Sequence, residues 1–222
     1  MKLNKVIALL LVLLILAAII YFVRGFYYGS KTIHELLVEN KQLKSAITNL
    51  TTEDQIGYAK VISQQVKDSN LYTTIRFVET ARNDKNNKIL EKDYTIEGDI
   101  IYFDALIVRF SNKMVMDGKE KALYLWRRVY GEKMAPQNGF PIEEAGKEPV
   151  RYEDILKFLP EKQRDLFWSN IWDLANDNEK LKEYGIIAVY GNADYNKLTK
   201  GKIYIFKISS TGQLYPEVIP EM

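Results

Sequence analysis

Cysteine is absent from the 222 residues, which excludes disulfides, thiolate zinc sites and a thiol nucleophile. Histidine occurs once, as His34, so the common nucleophile and base pairings have no material to work with. Proline is scarce, at six, and three of these (Pro136, Pro141 and Pro149) fall within one short stretch. Also lacking is any phosphate-binding glycine loop, G-x-S-x-G elbow, H-E-x-x-H pair or EF-hand loop. These absences leave acids, serines, lysines and tyrosines as the only chemistry, and no cofactor or metal is expected.

Excess charge of one sign is missing as well. The formal net charge is +2, but Lys2, Lys5, Arg24 and Lys31 stand in the first 31 residues without an acid, leaving 27 basic against 29 acidic residues in the remainder. A near-neutral body argues against nucleic acid as a partner, because that affinity comes mostly from phosphate neutralisation.

What the chain does have is a long apolar run. Val6 to Val23 holds eighteen consecutive uncharged residues, followed by Arg24 and the aromatics Phe26, Tyr27 and Tyr28. At helical rise the run reaches nearly across a bilayer, and with no small-x-small cleavage pattern it reads as an uncleaved signal anchor. Residues 1–31 are thus expected to form a tail, a single-pass transmembrane helix and a juxtamembrane joint. The positive-inside rule then puts the larger part of the chain outside the inner membrane, in a periplasm or its equivalent.

Past the run, apolar spacing alternates three and four. Ile33, Asn40 and Ile47 fall at heptad position a, and Leu36, Leu43 and Leu50 at d. Ile at a with Leu at d favours two parallel strands, one Asn at a fixes register, and Glu39 at g faces Lys44 at e of the partner. A coiled-coil stalk over 32–52, forming a homodimer or a heterodimer with a similar protein, is the expectation. The competing reading is one amphipathic helix laid on its own domain.

Residues 53–222 are expected to form an extracytoplasmic α+β domain. Alternating segments rich in Val, Ile, Tyr, Thr and Phe predict strands within 55–130: Gln55–Val66, Leu71–Ala81, Ile89–Ile96, Ile100–Phe110 and Lys121–Tyr130. Asp117-Gly118 reads as a hairpin turn joining Met114–Met116 to the last of them. Short antiparallel strands of this kind point to a sandwich or small barrel. A loop over 131–151, helices over 152–184 and strands over 186–219 complete the pattern, giving a helical block near the C-terminus.

Two groups of residues invite a functional reading. Tyr124, Trp126, Arg128 and Tyr130 would share one face of a strand, and such an aromatic and arginine row suits partner binding; the alternative is a core strand whose arginines reach acids. Glu91, Asp93, Glu97, Asp99 and Asp104 crowd one stretch, and a paired-carboxylate hydrolase of envelope glycans needs no more than two positioned carboxyls.

In the order of its parts, from the apolar run through the stalk to the first strand Ala59-Lys60-Val61-Ile62-Ser63, the chain is similar in layout to bacterial envelope morphogenesis and division proteins such as the MreC family or the DivIC and FtsL group. That resemblance implies a non-catalytic cell-envelope scaffold binding other envelope proteins. An accessory subunit of a transport or secretion complex and a membrane-tethered hydrolase are the alternatives.

Overall fold

The computed structural model describes residues 2–82, 84–144, 146–152, 161–171, 179, 181 and 186–221, with the side chains at 2–10, 12, 25–34, 150, 163 and 164 left outside the description. Two compact units make up the chain, 1–47 and 48–222.

The first helix, α1, runs from Lys2 to Thr51. Its expected role as a membrane span is corrected: no helix among the described residues is long and apolar enough to cross a membrane. Val6 to Leu10, Val12 and the aromatics Phe26, Tyr27 and Tyr28 lie outside the described side chains. The transmembrane, signal-anchor and single-pass assignments fall with that span. So does the inner-membrane location, and with it the extracytoplasmic placement that rested on the span.

Among its described residues the 48–222 unit consists mostly of antiparallel sheet with few helices, which also corrects the α+β expectation. Strands β1 (Glu53–Lys67), β2 (Asn70–Ala81), β3 (Asp84–Glu97), β8 (Lys202–Ser209) and β9 (Leu214–Pro220) form one sheet in the order β3-β2-β1-β8-β9. Strands β4 (Ile100–Phe110), β5 (Leu123–Gly131), β6 (Phe140–Pro141) and β7 (Ile186–Lys197) form a second, ordered β6-β5-β4-β7. Every pairing in both is antiparallel.

The turns follow local chemistry. Asp68 and Ser69 both take positive φ, so β1 and β2 close through a two-residue loop whose twist matches that of the strands. Gly98, at φ 97°, turns β3 toward β4 and carries the chain from one sheet to the other. Met114–Met116, expected as extended chain, instead belongs to the short helix α2 (Asn112–Met116), because the Ser111 side chain accepts from the Met114 N–H and caps it.

The two sheets interlock through aromatic rings. Phe77 of β2 and Phe206 of β8 meet Phe103 of β4 and Trp126 of β5, with centroids 4.6 Å apart for Phe103–Phe206 and 5.3 Å for both Phe77–Trp126 and Trp126–Phe206. All four side chains are fully buried, and each contributes a large apolar area removed from water. Of the expected C-terminal helical block, the described part is α3 (Glu161–Asn170) together with isolated positions. Tyr152 ends a single 3-10 turn, Val150–Tyr152, and residues 153–160, 172–178 and 182–185 lie outside the description, Trp172, Asp173 and Asp177 among them. Phe167 and Trp168 of α3 are buried, and Trp168 stacks on Tyr152 at 5.6 Å.

Candidate functional site

Strand β5 carries the residues singled out for partner binding, and it does not hold them on one face. Along β4, Asp104 pairs with Arg128 while the next residue, Ala105, pairs with Trp126, so Arg127 is an extra residue. This bulge reverses the phase of the strand. Tyr124 and Trp126 face the interior at 0% exposure and have no ring to offer a partner. Arg128 and Tyr130 fall on the opposite face. There Tyr130 stacks on Tyr102 at 4.8 Å, and Arg128 Nε pairs with Asp104 Oδ2 at 3.1 Å. Arg127 reaches the other oxygen of Asp104 through Nε at 3.0 Å and Nη2 at 2.5 Å. Gly191 makes room for that guanidinium, since a Cβ there would lie 2.6 Å from Arg127 Nη2.

At Tyr124 the backbone edge that would meet a further strand meets side chains instead. The Tyr152 hydroxyl accepts from the Tyr124 N–H at 2.7 Å and donates to its carbonyl at 2.9 Å. Arg151 Nη2 donates to the same carbonyl at 2.6 Å. The arginine lies over both tyrosine rings, 4.3 Å from the Tyr124 centroid and 4.7 Å from that of Tyr152.

Arg151 also ties two carboxylates together. Its Nη1 stands 2.9 Å from Glu79 Oε1 on β2 and 2.5 Å from Glu143 Oε1 in the segment after β6. Tyr124 donates its hydroxyl to Glu79 Oε1 at 3.0 Å. The side chains of Arg151 and Glu79 are 7% and 2% exposed. Burial pushes the Glu79 carboxyl up to about 7; Glu143 adds to the rise, while Arg151 and the Tyr124 hydroxyl hold it down. With both acids ionised, this buried group would carry one more negative than positive charge.

Above the cluster opens a cavity of about 240 Å³, walled by Ile89 and Leu90 of β3 and by Ile142 and Pro149, with Glu79, Glu143 and Arg151 in its lining. Glu144, Lys147 and Glu148 stand around it as well. No part of this site was anticipated, because its members come from distant stretches and none belongs to a motif. Arg151 and Glu143 lie in a segment expected to be a surface loop.

The crowded acids expected to serve a hydrolase are each engaged in ion pairs, Glu91 and Asp93 sharing one arginine. Glu91 pairs with Arg76 and Lys88, Asp93 with Arg76, Glu97 with Lys133, Asp99 with Lys197 and Asp104 with the two arginines. Glu91 lies on β3 in one sheet and Asp104 on β4 in the other. Among the described residues no group of three or more His, Cys, Asp or Glu is placed to hold a metal ion.

On α1, Leu36, Leu43 and Ile47 are exposed at 59%, 54% and 60%. Glu39, Asn40 and Lys44 are exposed too, Leu50 is half-buried, and the Ile33 side chain lies outside the description. Set against protein-family models, curated proteins and solved structures, the chain finds no match, and the layout likeness to envelope morphogenesis and division proteins gains no support from them.

Proposed function

We propose that this protein is a non-catalytic assembly subunit, pairing two chains through a parallel coiled coil at Ile33, Leu36, Asn40, Leu43, Ile47 and Leu50 and using the 48–222 unit to bind other proteins. The observation carrying this reading is the exposure of Leu36, Leu43 and Ile47 along one seam of α1. Burying a leucine fully is worth about 1.5–3 kcal/mol, so side chains left half to two-thirds open hold a driving force for association. Leu37 at e widens the seam at 65% exposure. Asn40 supplies a polar partner for its twin, and Glu39 a partner for Lys44 across the pair.

The engagement of Glu91, Asp93, Glu97, Asp99 and Asp104 in ion pairs supports the non-catalytic part of the reading for that stretch. A hydrolase built on it would need one of these carboxyls free to donate a proton and another placed near it.

Sedimentation equilibrium of the full chain tests the pairing. Two copies are expected, and Asn40→Leu should shift the population toward trimers or mixed registers by removing the polar register mark. A single copy at every concentration, unchanged by Asn40→Leu, would overturn the proposal.

A further inference from the structure

The cavity above Glu79 and Glu143 is independent of the pairing helix, and its chemistry is of one kind. Glu79, Glu143, Glu144, Glu148, Lys147 and Arg151 stand in its lining, and Glu79 and Glu143 have one arginine between them. Lys147 is engaged with Glu144 and Arg151 is shared between Glu79 and Glu143. Both Glu143 carboxylate oxygens are buried from solvent, and Oε2 accepts no hydrogen bond among the described residues. A buried carboxylate oxygen without a donor costs about 1–3 kcal/mol or more, so a ligand supplying a charged N–H gains at this position. The apolar side chains Ile89, Leu90, Ile142 and Pro149 provide a wall for a short hydrocarbon body.

We propose that this cavity binds a small organic cation, a primary ammonium on a short apolar chain, with its head on Glu143 and its body against Ile89 and Leu90. An anionic ligand would meet Glu79 and Glu143, two carboxylates that share one arginine. A metal ion lacks the ligand set, since no group of three acids converges among the described residues. A volume of about 240 Å³ suits a ligand of several heavy atoms and not a drug-sized one.

The reading carries a pH signature. Glu79 faces Arg151 and Glu143, accepts from the Tyr124 hydroxyl, and lines the cavity with Glu144, Lys147 and Glu148. Arg82 lies over the far side of the Tyr124 ring. Below about pH 7 a proton on Glu79 removes one of the negative charges that attract the ligand. Binding is therefore stronger above neutrality, and binding near pH 7 releases a proton.

Isothermal titration of the full chain with n-pentylammonium, against pentanoate as the control, tests this directly. One saturable site per chain is expected, with affinity at least roughly tenfold weaker about two pH units lower, the factor for a 1.4 kcal/mol difference. Glu143→Gln should weaken binding by a similar factor. Ile89→Trp should do so too, by filling the wall while leaving every charge in place, and it decides the matter if Glu143→Gln fails to fold. Absence of saturation up to about 10 mM, a weaker than 3 kcal/mol interaction, equal binding of pentanoate, or unchanged affinity in Ile89→Trp would each overturn the proposal.

Discussion

Glu79 shows how one residue can set the pH response of a fold. Its carboxyl is raised to about 7 from an ordinary 4.5, because burial disfavours the charged form by more than Arg151 and Tyr124 restore. Below pH 4.5 the proton is bound in folded and unfolded chains alike, and the contribution of Glu79 to stability is fully present. As pH rises toward 7 the unfolded chain releases the proton first, so stability falls with pH, and above about 7 the loss is complete. At 1.4 kcal/mol per unit this is on the order of 3 kcal/mol. Urea denaturation at a series of pH values should show this decline in the native chain and a flatter curve for Glu79→Gln. A parallel pair of curves would mean that Glu79 does not govern it.

A second residue-scale prediction concerns Gly57. A Cβ there would stand 2.5 Å from the Val78 carbonyl oxygen and 3.2 Å from the Glu79 Cα, both backbone atoms of the neighbouring strand. Since a strand backbone cannot swing aside as a side-chain tip can, Gly57→Ala should destabilise the sandwich by about 1–3 kcal/mol in the same denaturation measurement.

Elements were legible in the sequence where alternation and turn chemistry acted alone. The segment Ile100–Phe110 could be bounded to the residue, because hydrophobic alternation and Glu97-Gly98-Asp99 mark its start. Arg82 to Lys88 reads as a loop on composition, yet β3 begins at Asp84, since Asp84 and Lys88 pair with Ala81 and Thr80 of β2 despite weak strand propensity. β7 likewise runs past Gly191 to Lys197, held along its whole length by β4. The bulge at Arg127 left no trace in residue type, so the four-residue row on β5 was assigned to one face when it occupies two. Nor could the Glu79, Glu143 and Arg151 cluster be read, because only the folded sheets bring its members together. Tyr152 acts at this scale by completing the edge of β5. Tyr152→Phe removes the hydroxyl that serves both backbone groups of Tyr124 and should cost about 1–3 kcal/mol, read as a lowered urea midpoint.

For the whole molecule, the division at 47/48 makes a separable prediction. The core cluster of the 48–222 unit begins at Ile56 and draws on no described residue of 1–47. A fragment of residues 48–222 should therefore fold cooperatively, and sediment as one copy where the full chain sediments as two. A dimeric fragment would move the pairing surface from the helix to the sheets.

The tyrosine hydroxyl and arginine fork on the rim of β5 have a further consequence. Wherever a sheet ends in bare amide and carbonyl groups, an extended segment from a neighbouring molecule can dock rung by rung and start a fibril. At Tyr124 those rungs are occupied from within the chain, and further along Phe140 and Pro141 of β6 cover Val129 and Arg128, so recruitment at these positions is blocked by side chains and by a short, proline-bearing outer strand.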